Sequence, residues 1–267
     1  MKKTILKNWF YTIAFCILAV IVNFAIYNIT HELLTHIHVE QRLAETVGRM
    51  IAGMGIILFY NRFFEIENFG IKKEGFFKGL LIGGFMFLAT LNNLAGAIIG
   101  SADAPKVMPS VYLIVIVIIE QIFIGVFEEF LFRGLLLNVI LEKMQRHRFG
   151  DQMAAVLISS VLFGLVHLLN LFSMPQMINA TIDQVCYSTF IGIFLGVLYL
   201  RTHNIWVVVF YHAIYDIASE LPVIFHDIPV QSLVDQSVKE ALLNIALSSL
   251  FAFVGLFMAR KLKNKES

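Results

Sequence analysis

Charged residues are scarce in this chain. Asp, Glu, Lys and Arg make up 15% of its 267 residues, whereas about a quarter of an ordinary soluble domain is charged. Hydrophobic residues make up 58% of the chain, and the mean hydropathy is +0.79. The shortage of charge excludes an ordinary soluble protein, and the composition predicts a chain that crosses a membrane several times.

Cysteine is also rare, and the chain has almost no net charge. Cys16 and Cys186 lie far apart in apolar runs, so they give no support for a disulfide framework or a thiolate metal site. A formal net charge of +1 provides no long-range attraction for nucleic acid or another acidic partner. No internal repeat, low-complexity tract or linker interrupts the sequence, so we predict one membrane domain over residues 1–267.

Eight apolar segments are long enough to cross a bilayer, which requires about 20 residues of helix. They are residues 9–29, 43–60, 79–99, 109–141, 153–172, 184–200, 205–220 and 241–258. The sequence therefore predicts an all-α polytopic membrane protein with about eight transmembrane helices. The first segment has no small-residue cleavage site, so we expect it to remain as an anchor.

Positive residues are distributed unevenly between the two sides that these segments define. With a cytoplasmic N-terminus, fifteen of the twenty Lys and Arg residues fall on the cytoplasmic side, and only Arg42, Lys106 and Lys239 fall in outer loops. Because Lys and Arg are retained on the cytoplasmic side, we expect both termini in the cytoplasm. Short loops favour a bacterial cytoplasmic membrane, although an endoplasmic reticulum protein would have the same topology.

Three of the predicted helices carry ionisable residues well inside the membrane. A charge at the bilayer centre costs about 2.5 to 3.5 kcal/mol on insertion scales, so such residues usually face a protein-lined interior and are functional candidates. They are Glu128, Glu129 and Arg133 in the fourth helix, His167 in the fifth, and His212 and Asp216 in the seventh. Their distances from the helix ends place them at comparable depths. We therefore expect the site side chains to meet in one cavity.

Helical spacing separates the residues of the stretch VFEEFLFRGLLL. Glu129 and Arg133 are four residues apart and share a helix face, where they can form an ion pair. Glu128 points about 100° away from Glu129 and is left without that partner among aromatic neighbours. We expect Glu128 to be desolvated and to bind a proton readily, as a general base must.

The three motifs resemble those of a known family, the CAAX prenyl endopeptidases and their bacterial relatives, the bacteriocin-processing and self-immunity membrane proteins (the CPBP family). The family pattern is EExxxR, then FxxxH, then HxxxN or HxxxD, each on a separate helix. This chain has EEFLFR from Glu128, FGLVH from Phe163 and HAIYD from His212. The resemblance covers about residues 110–220, and it implies an eight-helix intramembrane protease whose catalytic core opens toward the cytosol.

The resemblance also implies a role for each motif. Glu128 and His167 would activate a water for attack on a peptide bond, while His212 and the residue at 216 would stabilise the oxyanion. Position 216 is Asp here, where many members have Asn. An ionised Asp cannot donate a hydrogen bond, so Asp216 would instead orient His212, bind a metal or act in its protonated form.

Three further residues of these motifs are expected to support the site. Glu129 and Arg133 would hold its shape, and Phe163 shares a helix face with His167. A metal ion is an open alternative, because His167, His212 and a carboxylate would give the ligand set of zinc peptidases. The same residues would also work as a glutamate and histidine site without an ion.

Other polar residues are interpreted more simply. The stretch HELLTHIH from His31 is similar to the HExxH zinc signature, but its histidines at positions 31 and 36 are five residues apart and would not share a helix face. We expect this stretch to be a solvated outer loop. Arg49 and Glu120 lie inside predicted helices, where they either join the cavity or serve in packing.

We predict an endopeptidase of the CAAX protease type that cleaves a membrane-associated peptide or protein in the lipid bilayer, with no nucleic-acid partner. Two other classes fit the same residues. One is a non-catalytic immunity or regulatory protein that retains the fold. The other is a proton-coupled transporter with Glu128, His167 and Asp216 as a relay, although the sequence has no matched pair of broken helices to support it.

Overall fold

A computed structural model of the protein describes residues 9–63, 73–100, 108–144, 148–226 and 234–262. Within these ranges the chain is helical and contains no strand, which confirms the predicted all-α class. Some of the basic residues used to predict the orientation lie outside the described residues. They are Lys2, Lys3, Lys7, Lys72, Lys106, Arg146, Lys263 and Lys265.

The helices follow the predicted apolar segments. They are α1 (Trp9–His36), α2 (Gln41–Phe63), α3 (Lys73–Ile82), α4 (Gly84–Gly100), α5 (Val111–Glu129), a π-helix (Phe130–Leu137), α6 (Asn138–Lys143), α7 (Phe149–Val166), a 3₁₀ turn (His167–Leu169), α8 (Asn170–Ser173), α9 (Ile178–Thr202), α10 (Ile205–His226) and α11 (Val238–Ala259).

Six stretches of the described chain are long and apolar enough to cross a membrane. They are Ala14–His36, Gln41–Arg62, Val111–Lys143, Phe149–Ser173, Ile178–Thr202 and Val238–Ala259. The bent pair of α3 and α4 makes seven if it counts as one span. These spans make the protein a polytopic membrane protein. Helix α10 is not among the candidates, so the number of eight spans stays a prediction.

The predicted third span, residues 79–99, is not one straight helix. Two helices, Gly75–Ile82 and Gly84–Ala95, meet there at an angle of 60°. Backbone hydrogen bonds continue through the break, from Gly83 N to Gly79 O at 2.9 Å and from Met86 N to Gly83 O at 2.8 Å. Two consecutive glycines give the backbone the freedom to bend here.

The prediction of an outer loop at HELLTHIH is wrong for most of that stretch. Helix α1 continues to His36, and the chain leaves the helix only where His38 adopts a φ of 64°. The apolar run of α1 is therefore extended by polar residues that keep the helical conformation. His31 Nε2 lies 3.8 Å from Glu45 Oε1 of α2.

The chain divides into two compact units. The first consists of Met1–Leu135 and Asn204–Ile228, and the second of Leu136–His203 and Pro229–Ser267. A single domain over residues 1–267 stays a prediction.

In the first unit, α5 packs against both α2 and α10. A Cβ atom at Gly125 would lie 3.5 Å from Ala213 N, so small residues allow the backbones of α5 and α10 to approach closely. Arg42 of α2 forms ion pairs with both α5 and α10. Its Nε lies 2.8 Å from Glu120 Oε2 of α5, and its Nη2 lies 2.7 Å from Glu220 Oε1 of α10.

In the second unit, α9 packs against α7 and α11. The crossing with α7 is tight, because a Cβ atom at Gly164 would overlap Thr189 Oγ1 and lie 2.6 Å from Val185 O. Helix α11 begins with a capping box, in which Ser237 Oγ accepts from Glu240 N while the Glu240 carboxylate accepts from Ser237 N.

Candidate active site

Helix α5 begins after the N-cap residue Ser110 and ends at the adjacent carboxylates Glu128 and Glu129. Ser110 Oγ accepts a hydrogen bond from Leu113 N at 3.2 Å, which is the usual N-cap contact. The helix continues regularly to Glu129 and then widens into the π-helix that contains Arg133. π-Helical segments are rare in proteins, and those that occur often lie at functional sites.

Tyr60 is a residue near the site that the sequence did not reveal. Its hydroxyl donates to Gly134 O at 2.8 Å, and a Cβ atom at Gly134 would lie 3.0 Å from a carbon of the Tyr60 ring. Gly134 thus lets α2 approach the π-helix. The only sequence signal for this contact was a glycine inside an apolar helical run.

Glu129 and Arg133 form the predicted ion pair. Arg133 Nη1 donates to Glu129 Oε1 at 2.6 Å, with the Glu129 side chain 0% exposed and the Arg133 side chain 1% exposed. Full burial of both charges means that each depends on the other for compensation.

His212 binds the same carboxylate from the neighbouring helix α10. Its Nδ1 lies 2.6 Å from Glu129 Oε1. A carboxylate paired with Arg133 is an acceptor, so Nδ1 carries the hydrogen and donates it to Glu129. Arg133, Glu129 and His212 therefore form one buried chain of charge-assisted hydrogen bonds. The chain fixes the orientation of the imidazole.

Two further carboxylates face the other nitrogen of this imidazole. His212 Nε2 lies 3.2 Å from Asp216 Oδ2 and 3.4 Å from Glu128 Oε2. An N–H at Nε2 would donate to either carboxylate, because an ionised carboxylate can only accept. The arrangement thus provides a proton donor and a proton acceptor within one hydrogen-bonded group.

The surroundings of Glu128 differ from the prediction. The sequence predicted a desolvated carboxylate without a cationic partner, but 27% of the Glu128 side chain is exposed and His212 is its neighbour. The reason is the packing of α10 against α5, which places an imidazole beside a residue that has no partner on its own helix. Glu128 is also accessible to a ligand, whereas Glu129 is not.

His167 and Phe163 belong to the second unit. Phe163 and His167 share a helix face as predicted, and their rings form an edge contact with centroids 5.3 Å apart. His167 Nδ1 lies 3.2 Å from Phe163 O and 3.3 Å from Gly164 O. A carbonyl can only accept, so Nδ1 carries the hydrogen and Nε2 of a neutral ring is left as a base.

A cleft in the first unit opens beside Glu128. Its other lining residues are Asn23, Arg49, Phe123, Ile124 and Phe127, which come from α1, α2 and α5. Arg49, interpreted from the sequence as a cavity or packing residue, therefore lies in the same cleft as the predicted base. Glu120 instead pairs with Arg42.

The described residues contain no group of three or more His, Cys, Asp or Glu side chains arranged to hold a metal ion. Of the two predicted zinc ligands, His212 has its Nδ1 bound to Glu129. This bond leaves Nε2 as the nitrogen that a metal would use, and zinc at His167 and His212 stays a prediction.

The part of the chain from α5 to α10 matches a known protein family. Residues 110–218 match the family model described as type II CAAX prenyl endopeptidase Rce1-like. This segment is similar to the Rce1-like domain of that family. It contains all three motifs, from EEFLFR through FGLVH to HAIYD, and it confirms the resemblance seen in the sequence. No curated protein matched the chain.

Proposed function

We propose that the protein is an intramembrane endopeptidase that hydrolyses a peptide bond of a membrane-associated peptide or protein. The observation that supports this most strongly is His212, which is held by the buried Glu129 at Nδ1 while Glu128 and Asp216 lie beside its Nε2. The similarity to the Rce1-like domain adds support from the family.

Glu128 is the general base of the proposed reaction. Its partly exposed carboxylate takes a proton from a water as the water oxygen bonds to the scissile carbonyl carbon. The carbon–nitrogen bond then breaks, and Glu128 returns the proton to the leaving amine. Glu129 is unsuited to this role because it is fully buried and already bound to Arg133 and His212.

His212 stabilises the oxyanion of the tetrahedral intermediate. With Nδ1–H bound to Glu129, a protonated Nε2 can donate to the developing negative charge. Asp216 lies 3.2 Å from this nitrogen and compensates the positive charge of the imidazolium. This assigns Asp216 to orientation of His212, which is one of the roles open to an Asp at this position.

The role of His167 and the presence of zinc are inferred from the sequence motifs. His167 is assigned to water activation together with Glu128, and the accepting Nε2 of its neutral ring suits that role. Zinc held by His167 and His212 would supply Lewis-acid chemistry, and its presence stays a prediction that metal analysis of the purified protein will check. The orientation with both termini in the cytoplasm, and a bacterial origin, are likewise proposals.

The proposal is tested by comparing membrane peptides from cells that contain wild type or the Glu128→Gln variant. We expect a set of cleavage products that is present with wild type and absent with Glu128→Gln. A Glu142→Gln variant is the matched control, because Glu142 is an exposed residue of α6. Identical product sets for wild type and Glu128→Gln would contradict the proposal.

The two rival functions predict different results from these variants and from a transport assay. A non-catalytic immunity or regulatory protein would keep its biological effect when Glu128 is replaced by Gln, since a binding surface does not need a water activator. A transporter would show proton-coupled flux in proteoliposomes and no peptide cleavage.

A further inference from the structure

Arg49 of α2, whose charge acts on Glu120 of α5, is a cation inside a membrane-spanning helix that forms no ion pair with the described residues. Its guanidinium lies over the ring of Tyr27, with 4.4 Å from Cζ to the ring centroid. Among the described residues, its Nε is buried and has no hydrogen-bond acceptor, and no carboxylate lies within ion-pair distance of the side chain. A guanidinium has five N–H donors, and a single aromatic face satisfies none of them by hydrogen bonding.

The position of Arg49 links it to the proposed reaction. Arg49 and Glu128 line one small, partly open cleft, together with Asn23. The two opposite charges face the same space without forming an ion pair. Phe123, Ile124 and Phe127 provide an apolar wall.

The cleft has the chemistry of a peptide-binding site. A peptide group offers a carbonyl oxygen, which a guanidinium binds, and an N–H, which a carboxylate binds. The apolar wall is suited to a hydrophobic side chain next to that peptide group. Opposite charges held apart in a cleft are stabilised when a group of this kind lies between them.

We propose that Arg49 is a substrate-binding residue whose guanidinium donates to an oxygen atom of the bound peptide, across the cleft from Glu128. This inference rests on the proposed endopeptidase function. The oxygen belongs either to a backbone carbonyl or to a terminal carboxylate, and both present the same acceptor to the guanidinium.

The first test is kinetic and uses an Arg49→Met variant, which keeps a long apolar stem over Tyr27. With a defined synthetic peptide that wild type cleaves, we expect KM to rise about 10- to 100-fold, as for loss of one charge-assisted hydrogen bond, with kcat nearly unchanged. Peptides with a free and an amidated C-terminus distinguish the two sources of the oxygen, because only a carboxylate contact is lost on amidation.

The matched control is Arg260→Met. Arg260 also lies over an aromatic ring, with 5.1 Å from its Cζ to the centroid of Phe257, but it is exposed. We expect wild-type KM and kcat for this variant. Guanidinium ion added to an Arg49→Ala variant should lower its KM, and added to Arg260→Ala should have no effect. An unchanged KM for Arg49→Met would overturn the inference.

A second measurement needs no replacement of Arg49. In the Glu128→Gln background, phenylglyoxal should modify Arg49, and the same peptide should protect it, while the buried Arg133 stays unmodified throughout. Modification of Arg49 at the same rate with and without peptide would also overturn the inference. Failure of the endopeptidase proposal itself is distinct, because it is seen as equal cleavage by wild type and Glu128→Gln.

Discussion

The carboxylate of Glu129 accepts two short hydrogen bonds from different helices. Arg133 Nη1 and His212 Nδ1 both lie 2.6 Å from Glu129 Oε1. Because Glu129 is fully buried, its negative charge is compensated by these two side chains and by nothing outside the protein. The orientation of His212 therefore depends on an ion pair that does not contact substrate.

Replacement of Arg133 tests this dependence. An Arg133→Met variant leaves the Glu129 carboxylate without its cation, and we expect a loss of about 3–5 kcal/mol in the free energy of unfolding. The double variant Glu129→Gln with Arg133→Met has no buried charge to compensate, so it should be more stable than Arg133→Met alone. Thermal unfolding in detergent measures both effects, and a double variant that is less stable than the single one would contradict the account.

The sequence predicted the individual contacts within one helix, whereas between helices it predicted only that the site side chains would meet in one cavity. The pairs Glu129 with Arg133 and His212 with Asp216 follow from a spacing of four residues, and the structure has both. The bond from His212 to Glu129 depends on how α10 packs against α5, which the spacing of residues does not determine. For the same reason the sequence assigned Glu128 no cationic partner of its own, although His212 lies 3.4 Å away.

Among the helices, the crossing of α7 and α9 is the most sensitive to an added methyl group. A Gly164→Ala variant would place Cβ 2.6 Å from the Val185 carbonyl oxygen, and a backbone atom cannot move aside cheaply. We expect destabilisation of about 1–3 kcal/mol, as for other overpacked sites. The Gly55→Ala variant of α2 is the matched control, because nothing lies within 4 Å of its added Cβ.

Gly55→Ala should be neutral or slightly stabilising, since alanine favours a helix interior more than glycine. Both variants can be compared by thermal unfolding of the purified protein. Equal unfolding temperatures for Gly164→Ala and Gly55→Ala would mean that α7 and α9 do not cross as closely as the structure has them.

The start of α9 provides a pH-dependent contact. Desolvation raises the pKa of Asp235, but hydrogen bonds from the backbone N–H groups of Asn179 and Ala180, at 2.8 and 2.9 Å, lower this pKa more, so the net pKa is below its ordinary value. A carboxyl group of this kind stabilises the folded protein above its unfolded-state pKa of about 4 and loses that effect as the pH falls through its folded-state pKa.

We therefore expect wild type to unfold at a higher temperature than an Asp235→Asn variant at neutral pH. The difference should shrink as the pH falls below about 4, where the wild-type carboxyl becomes protonated. Thermal unfolding at several pH values measures it. A difference that stays constant from neutral to acidic pH would show that the charge of Asp235 does not stabilise α9.

Apolar runs predicted where the helices lie but not how each helix is shaped. The run at residues 79–99 is continuous in hydropathy, yet the consecutive glycines Gly83 and Gly84 let it bend by 60°. The widening after Glu129 leaves little mark in the sequence beyond Gly134, because the residues on either side of Arg133 and Gly134 are all apolar and show no period that distinguishes a π-helix from an α-helix. Local geometry of this kind is set by contacts such as that of Tyr60 with Gly134 O.

At the scale of the whole molecule, the predicted orientation in the membrane can be tested by labelling single cysteines. A variant that lacks Cys16 and Cys186 provides a background for single cysteines, and Lys143 and Lys239 are exposed positions at opposite predicted sides. We expect a membrane-impermeant maleimide to label Lys239→Cys in intact cells and Lys143→Cys only after permeabilisation. The reverse pattern would place both termini outside.

The most direct measurement of the proposed chemistry follows oxygen from water into product. Purified protein in liposomes is incubated with a cleavable peptide in ¹⁸O-enriched water, and the product is analysed by mass spectrometry. We expect wild type to introduce a single ¹⁸O atom into the new C-terminal carboxylate, and the Glu128→Gln variant to form this product at least about 100-fold more slowly. Labelled product formed at the same rate by folded Glu128→Gln protein would contradict the assignment of Glu128 as the water-activating base.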